Sequence, residues 1–384
     1  RIKFRVAARE ANTIRHIVPL TNLLMLTGSA EWRVSSINSD AITPSSISVK
    51  PQSYVGANNA QPVIVNNSMV YASSRGGHVR ELGYNWQANG FITGDLSLRA
   101  PHLFDNLTVT DMALAKSPIP IVWFISSNGK LLGFTYVPEQ TIGAWHQHDT
   151  DGTFESVATV SEGNDDALYC VIKRTINGAT KKFIERMNTR LYAKDRDAFF
   201  VDAGSTYDGT NTDASRTVTI SGGTNYTRGE SVTITANYNL FKAPPNVDDV
   251  GDAIVLVSGT NYYRCNITAT TSQTVATVKL DVDLPASLRN TAITTFEVAR
   301  NVISGLNYLE GKTVSILADG AVHPQKTISS GTITLDRASS VVHIGLEYES
   351  DLQTMPMSLQ TEAFGQGRVK NVNHVWLRVL ESSG

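Results

Sequence analysis

The chain predicts a mainly all-β protein, and three observations carry that reading. Ser and Thr together outnumber Asp, Glu, Lys and Arg together, and 28 Gly stand beside many Asn. That is the vocabulary of strands and turns, since β-branched and hydroxyl residues suit a pleated surface while Gly and Asn turn corners. Charged residues make up only 18%, below the usual quarter, so charge-striped helices and coiled coils are excluded. Short apolar runs then recur as pairs across turn residues, the pattern of β-hairpins.

Four such pairs fill the first half. Residues 23–27 turn at Gly28-Ser29 and return as 31–35; 63–65 turn at Asn66-Asn67 and return as 69–72. Residues 121–125 turn through Ser127-Asn128-Gly129 into 131–136, and 167–172 turn at Asn177-Gly178 into 182–186. Asn-Gly between two apolar runs is the strongest short-range hairpin signal. The hairpins recur at intervals near those of propeller blades, roughly 40 to 50 residues. An irregular β-propeller over 1–202 is therefore expected, with a β-sandwich as runner-up. One interval is long because 105–116 reads as the chain's helix, with Asp105 or Asn106 as cap and Pro118 as stop.

Residues 203–215 are small or polar and read as a linker. Beyond it, 216–300 alternates with period 2, as in Ser231-Val232-Thr233-Ile234-Thr235. Alternation of that kind means half-buried strands, here a small inserted β-domain. Residues 303–357 read as a compact β-barrel or sheet, with a turn at Asp319-Gly320. A strand segment over 358–384 is expected to return to the main body. The abrupt start at Arg1 and the strand pattern 375–380 near the end suggest a piece of a longer chain.

Net charge is −2, so a generally basic nucleic-acid binder is not expected. No groove-reading helix with clustered Arg or Lys occurs, so sequence-specific nucleic-acid binding is not expected either. Cys170 and Cys265 are too far apart and too few for a disulfide framework or a Cys-based zinc site; two buried thiols are expected. No apolar run approaches the roughly 18 residues of a membrane span.

One polar constellation has metal-like character: Trp145-His146-Gln147-His148-Asp149-Thr150-Asp151-Gly152. His-x-His on a strand puts both imidazoles on one face, as in some zinc sites. Asp-x-Asp-Gly begins like a calcium loop, but the twelfth position falls on Val160. His146, His148, Asp149 and Asp151 are thus weak metal candidates, and a polar turn organised by His148 and the aspartates is the expectation. The stretch also falls one residue short of a sialidase Asp-box. Asp165-Asp166 and Asp248-Asp249 are expected in solvated loops. The five Trp are expected in core and inter-sheet packing rather than in a sugar-stacking platform. No nucleophile elbow, phosphate loop or His-Glu-x-x-His occurs, so no catalytic residue and no cofactor is assigned.

A string of phrases resembles the tail nozzle component of short-tailed bacteriophages and prophages, the tail tubular protein B family. They are 14–19 (IRHIVP), 28–34 (GSAEWRV), 79–84 (VRELGY), Asp111-Met112-Ala113 and 145–157 (WHQHDTDGTFESV). Then come 199–204 (FFVDAG), 206–209 (TYDG), 304–311 (SGLNYLEG) and 318–324 (ADGAVHP). Relatives pass almost directly from the Tyr-Asp-Gly phrase to the Ser-Gly-Leu phrase, so 212–302 looks like an insertion. The resemblance implies a non-enzymatic structural protein of the virion tail, made in the bacterial cytoplasm. It implies a ring of copies, six in the family, around the DNA exit channel, in contact with adaptor, tail-tube and fibre proteins. The competing expectation is a propeller that binds or cleaves host-surface glycan, which a carboxylate pair converging in a cleft would favour.

Overall fold

The computed structural model describes residue 6 and residues 13–140, 142–189, 191–242, 249–353 and 371–376. Strands dominate, joined by turns and a few one-turn 3-10 segments, with no α-helix among the described residues. The protein is all-β, built from several antiparallel sheets, and it divides into two compact units, Arg1–Thr189 and Arg190–Gly384.

The first unit is four meanders in strict chain order. The first sheet comprises β1 (Ile14–Pro19), β2 (Leu23–Thr27), β3 (Glu31–Ser36) and β4 (Ile47–Ser53). The second comprises β5 (Val63–Val65), β6 (Ser68–Ala72), β7 (Val79–Asn85) and β8 (Gly90–Asp95). The third comprises β9 (Val109–Ala115), β10 (Ile121–Ser126), β11 (Leu131–Val137) and β12 (Ile142–His148). The fourth has β13 (Thr153–Glu162), β14 (Asp165–Ile176) and β15 (Ala179–Arg186). All four expected hairpins are present. Asn66, Asn177 and Gly178 carry the positive φ that tight hairpin turns demand.

Period-2 alternation sends each inner sheet's side chains into two cores. Met69 and Tyr71 of β6 pack with Leu24 and Leu26 of the first sheet, whereas Val70 and Ala72 face Phe124 and Phe134 of the third. Val122 and Phe124 of β10 share that second core, while Trp123 and Ile125 turn to Leu168 and Ile172 of the fourth sheet. Each large side chain buried this way contributes on the order of 2 kcal/mol. The helix expected at 105–116 is absent: residues 109–115 are β9, and Asn106 sits at φ 59 in a turn rather than capping. β9 completes the third sheet beside β10, burying Met112 in one core and Ala115 in the other. Pairing and two-sided burial override a helix-compatible local sequence.

The second unit holds β16 (Asp202–Asp208), β17 (Val218–Ser221), β18 (Ser231–Ala236), β19 (Ala253–Ser258), β20 (Asn261–Thr270) and β21 (Val275–Leu280). It continues with β22 (Ala292–Ile293), β23 (Phe296–Ser304), β24 (Thr313–Ala318), β25 (Ala321–Thr327), β26 (Thr332–Ser339) and β27 (Val341–Leu346). Eight strands form one sheet in the order β22-β17-β18-β21-β20-β19-β23-β26, and four form another, β16-β27-β24-β25. The text expected to be linker begins with a strand instead. β16 pairs with β27, Tyr207 Oη donates to Val298 O (2.9 Å), and Asn211 N donates to Phe296 O (2.9 Å). Small residues are needed there: a Cβ on Gly209 would lie 2.0 Å from Val298 O. β23 runs from the core of the 216–300 section, through Phe296, into that of the third section, through Ile303. Of the 358–384 segment, residues 371–376 carry no strand, and the remainder lies outside the described residues, as does Asp248.

Candidate functional site

The His146–Asp151 stretch runs from the end of β12 into the turn before β13. Alternation does put both imidazoles on one face, half-buried against Trp123, with ring centroids 5.4 and 5.6 Å away. His146 Nδ1 and His148 Nε2 lie 2.8 Å apart and share a hydrogen bond. A proton held between the two ring nitrogens ties the rings to each other. Gly133 on β11 makes room for it, because a Cβ there would sit 2.0 Å from His146 Cε1.

The aspartates meet other groups. Asp149 is exposed and 3.8 Å from Lys130 Nζ, while Asp151 offers its backbone carbonyl to Arg174 Nη1 at 2.8 Å. Among the described residues no three His, Cys, Asp or Glu side chains converge as a metal set. The turn is held from outside by Arg174, which sequence reasoning missed. Its buried guanidinium makes a two-pronged bond to Glu185 (Nε to Oε1 and Nη2 to Oε2, both 2.7 Å) and also reaches Asp151.

Asp166 and Asp249, one from each carboxylate pair, are structural joints. Asp166 Oδ2 accepts from Lys116 N (2.6 Å) and Ser117 N (3.2 Å), fastening the fourth sheet to the third. Those backbone donors, Lys116 first, hold its carboxyl below the usual carboxylate range. Asp249 is not in a solvated loop: it is buried, and with Asp252 it grips Arg300 Nη1 at 2.6 and 2.7 Å. Burial pulls the Arg300 guanidinium down, and the two carboxylates more than offset that.

The thiols are free and buried, and burial pushes both Cys170 and Cys265 up to about 12, which leaves them unreactive as nucleophiles. Trp32 and Trp123 are core residues. Trp145 stacks on Phe134 (centroids 4.5 Å) and donates to Leu96 O (2.8 Å). Trp86 and Trp376 depart from the expectation, being 78% and 93% exposed.

A concavity lies elsewhere, in the second unit. It is an open polar cleft of about 550 Å³ over the face of the eight-stranded sheet opposite its main core, with Arg264, Asn266 and Asn301 on its walls. Alternation made it: Ile254, Leu256, Cys265 and Ile267 face the core, so Arg264 and Asn266 must face away. In the sequence these are isolated polar residues on a strand, and only the register of β19, β20, β23 and β26 gathers them. No helix among the described residues is long and apolar enough to cross a membrane. No protein-family model and no curated protein matches the chain.

Proposed function

We propose that this chain is a structural protein of a bacteriophage tail, similar to the nozzle component that rings the DNA exit channel, and that its first unit is part of a β-propeller. The observation that carries this is where the family-like phrases fall: they make joints between sheets, and between a sheet and its connecting loops and turns. Asp111 Oδ2, from one phrase, accepts from Ser156 Oγ (2.7 Å) and Val157 N (3.1 Å), from another, tying the third sheet to the fourth. His16, from the first phrase, meets Asn58 O (2.9 Å), and Arg15 Nη1 donates to Ala57 O (2.5 Å). Asp319 Oδ1 accepts from Ser340 N (2.9 Å) and Val341 N (2.8 Å), fixing the turn between β24 and β25 against β27. Residues with such duties specify assembly of blades rather than a reaction.

The serial order supports the same reading. Sheets that follow one another in sequence and share a core with each neighbour are what radial repetition produces. A conduit must also let DNA slide, and each phosphate neutralised adds salt-dependent affinity, so a net charge of −2 suits it. Electron microscopy of intact particles labelled with an antibody to this chain tests the proposal. Label in a ring at the tail is the expected result; label on the capsid shell, or on no particle, would refute it.

A further inference from the structure

The polar cleft of the second unit has a chemistry of its own. Arg264 on β20 is half-buried and lines the cleft; its side chain donates from Nε to Asn266 Oδ1 (2.8 Å), which leaves its two terminal amino groups without a hydrogen bond among the described residues. Arg337 on β26 also lines the cleft, pairing at 3.4 Å with Asp281 and remaining 68% exposed. Burial, then the like charge of Arg337, pulls Arg264 below the ordinary arginine value, with Asp319, Asp281 and Asp252 opposing. Two guanidiniums held near each other in a partly desolvated recess favour an anion that both can reach, and a forked guanidinium fits a planar carboxylate.

The remaining wall groups suit hydroxyls. Asn301 on β23 bonds through its backbone N to Asp252 (2.7 Å), while its side-chain amide makes no hydrogen bond and borders the cleft. Asp281 and Asp336 supply acceptors at the rim, Asp336 being steadied by Lys326 Nζ (2.7 Å). Gly251 and Ala338 add small residues to the lining, and Ala338 is buried in a cluster with Ala253, Val255 and Ala299. A volume of about 550 Å³ lies within the range of small-molecule sites, roughly 300 to 1,000 Å³.

From this geometry we infer that the cleft binds a carboxylate-bearing sugar, a uronic or sialic acid unit, with Arg264 and Arg337 on the carboxylate and Asn301, Asp281 and Asp336 on its hydroxyls. The inference is independent of the tail assembly reading: a particle ring could fail the labelling test while this site still holds its ligand, and the reverse.

Calorimetric titration of the whole chain with glucuronate and N-acetylneuraminate, beside glucose and acetate as controls, decides it. Expected is millimolar-range binding of at least one acidic sugar, with glucose and acetate each about tenfold weaker or worse. Arg264→Gln should weaken binding about tenfold or more, and so should Arg337→Gln, whose exposed position leaves folding untouched should the first variant prove unstable. Three results would overturn the inference: no acidic sugar binding at about 20 mM, binding indifferent to both substitutions, or acetate matching the sugars.

Discussion

Gly133 and His146 show how one residue's absence of a side chain decides a site. The imidazole of His146 lies over Gly133, where a Cβ would meet it at 2.0 Å, and it is held there by His148 at 2.8 Å and by Trp123. Gly133→Ala must therefore displace the ring and break that contact. Overpacking of this kind costs typically about 1–3 kcal/mol. We expect urea unfolding of Gly133→Ala to show a loss in that range, and the double variant Gly133→Ala/His146→Ala to recover part of it. Additive losses would mean that the two positions do not meet. That both histidines share a strand face was legible in the sequence, because period 2 is geometry. That Trp123 packs against this face was not: it depends on how β10 and β12 flank β11.

At the scale of elements, hydrogen bonds between neighbouring sheets do what local propensity cannot. Asp166 begins β14 yet serves the segment after β9, taking the Lys116 and Ser117 amides. Its pKa is lowered on folding, so its stabilisation is present above the unfolded carboxylate value, about 3.9, and disappears as pH falls through the lower folded value. The stability difference between the native chain and Asp166→Asn should accordingly be constant above pH about 5 and shrink in stronger acid; a difference that grows with acid would contradict the joint.

The helix expected at 105–116 failed at this same scale, since Val109, Met112 and Ala115 serve two faces of a sheet that only the tertiary fold supplies. The linker text at 203–215 misled for a related reason: small residues there admit a close backbone neighbour rather than freedom. β23 bears on the insertion directly. Its Val302–Ser304 end pairs with Thr332–Thr334 of β26, so removing 212–302 takes away β17 to β22 and β23 as far as Val302, and of the eight-stranded sheet leaves β26 with Ile303 and Ser304 beside it. We expect that deletion to abolish slow amide exchange in β26, whereas retained protection there would mark 212–302 as a free-standing module.

For the whole molecule, the expectation that remains is assembly. The all-β class was legible because composition, alternation and Asn-Gly turns agree at every level. Copy number is not written in any of them. A ring around a channel repeats a heterologous interface about an axis, and each copy must present two different patches. Exposed large apolar side chains of the first unit occur on separate sheets, Ile17 on β1, Ile92 on β8 and Ile184 on β15 among them. Scattered apolar residues do not drive self-association as one contiguous patch would. We therefore expect this chain alone to sediment as a monomer or weak oligomer, closing into a ring only with the other tail proteins.

The same conduit reading sets its behaviour towards DNA. No groove-reading helix is present among the described residues, and the net charge is −2, so binding to duplex DNA should be weak, indifferent to sequence and lost as salt rises. Analytical ultracentrifugation and a DNA titration at about 50 and 200 mM salt measure both halves. A nanomolar complex that discriminates between sequences at the higher salt would mean that the protein reads DNA, and a surface that reads DNA cannot also let it pass.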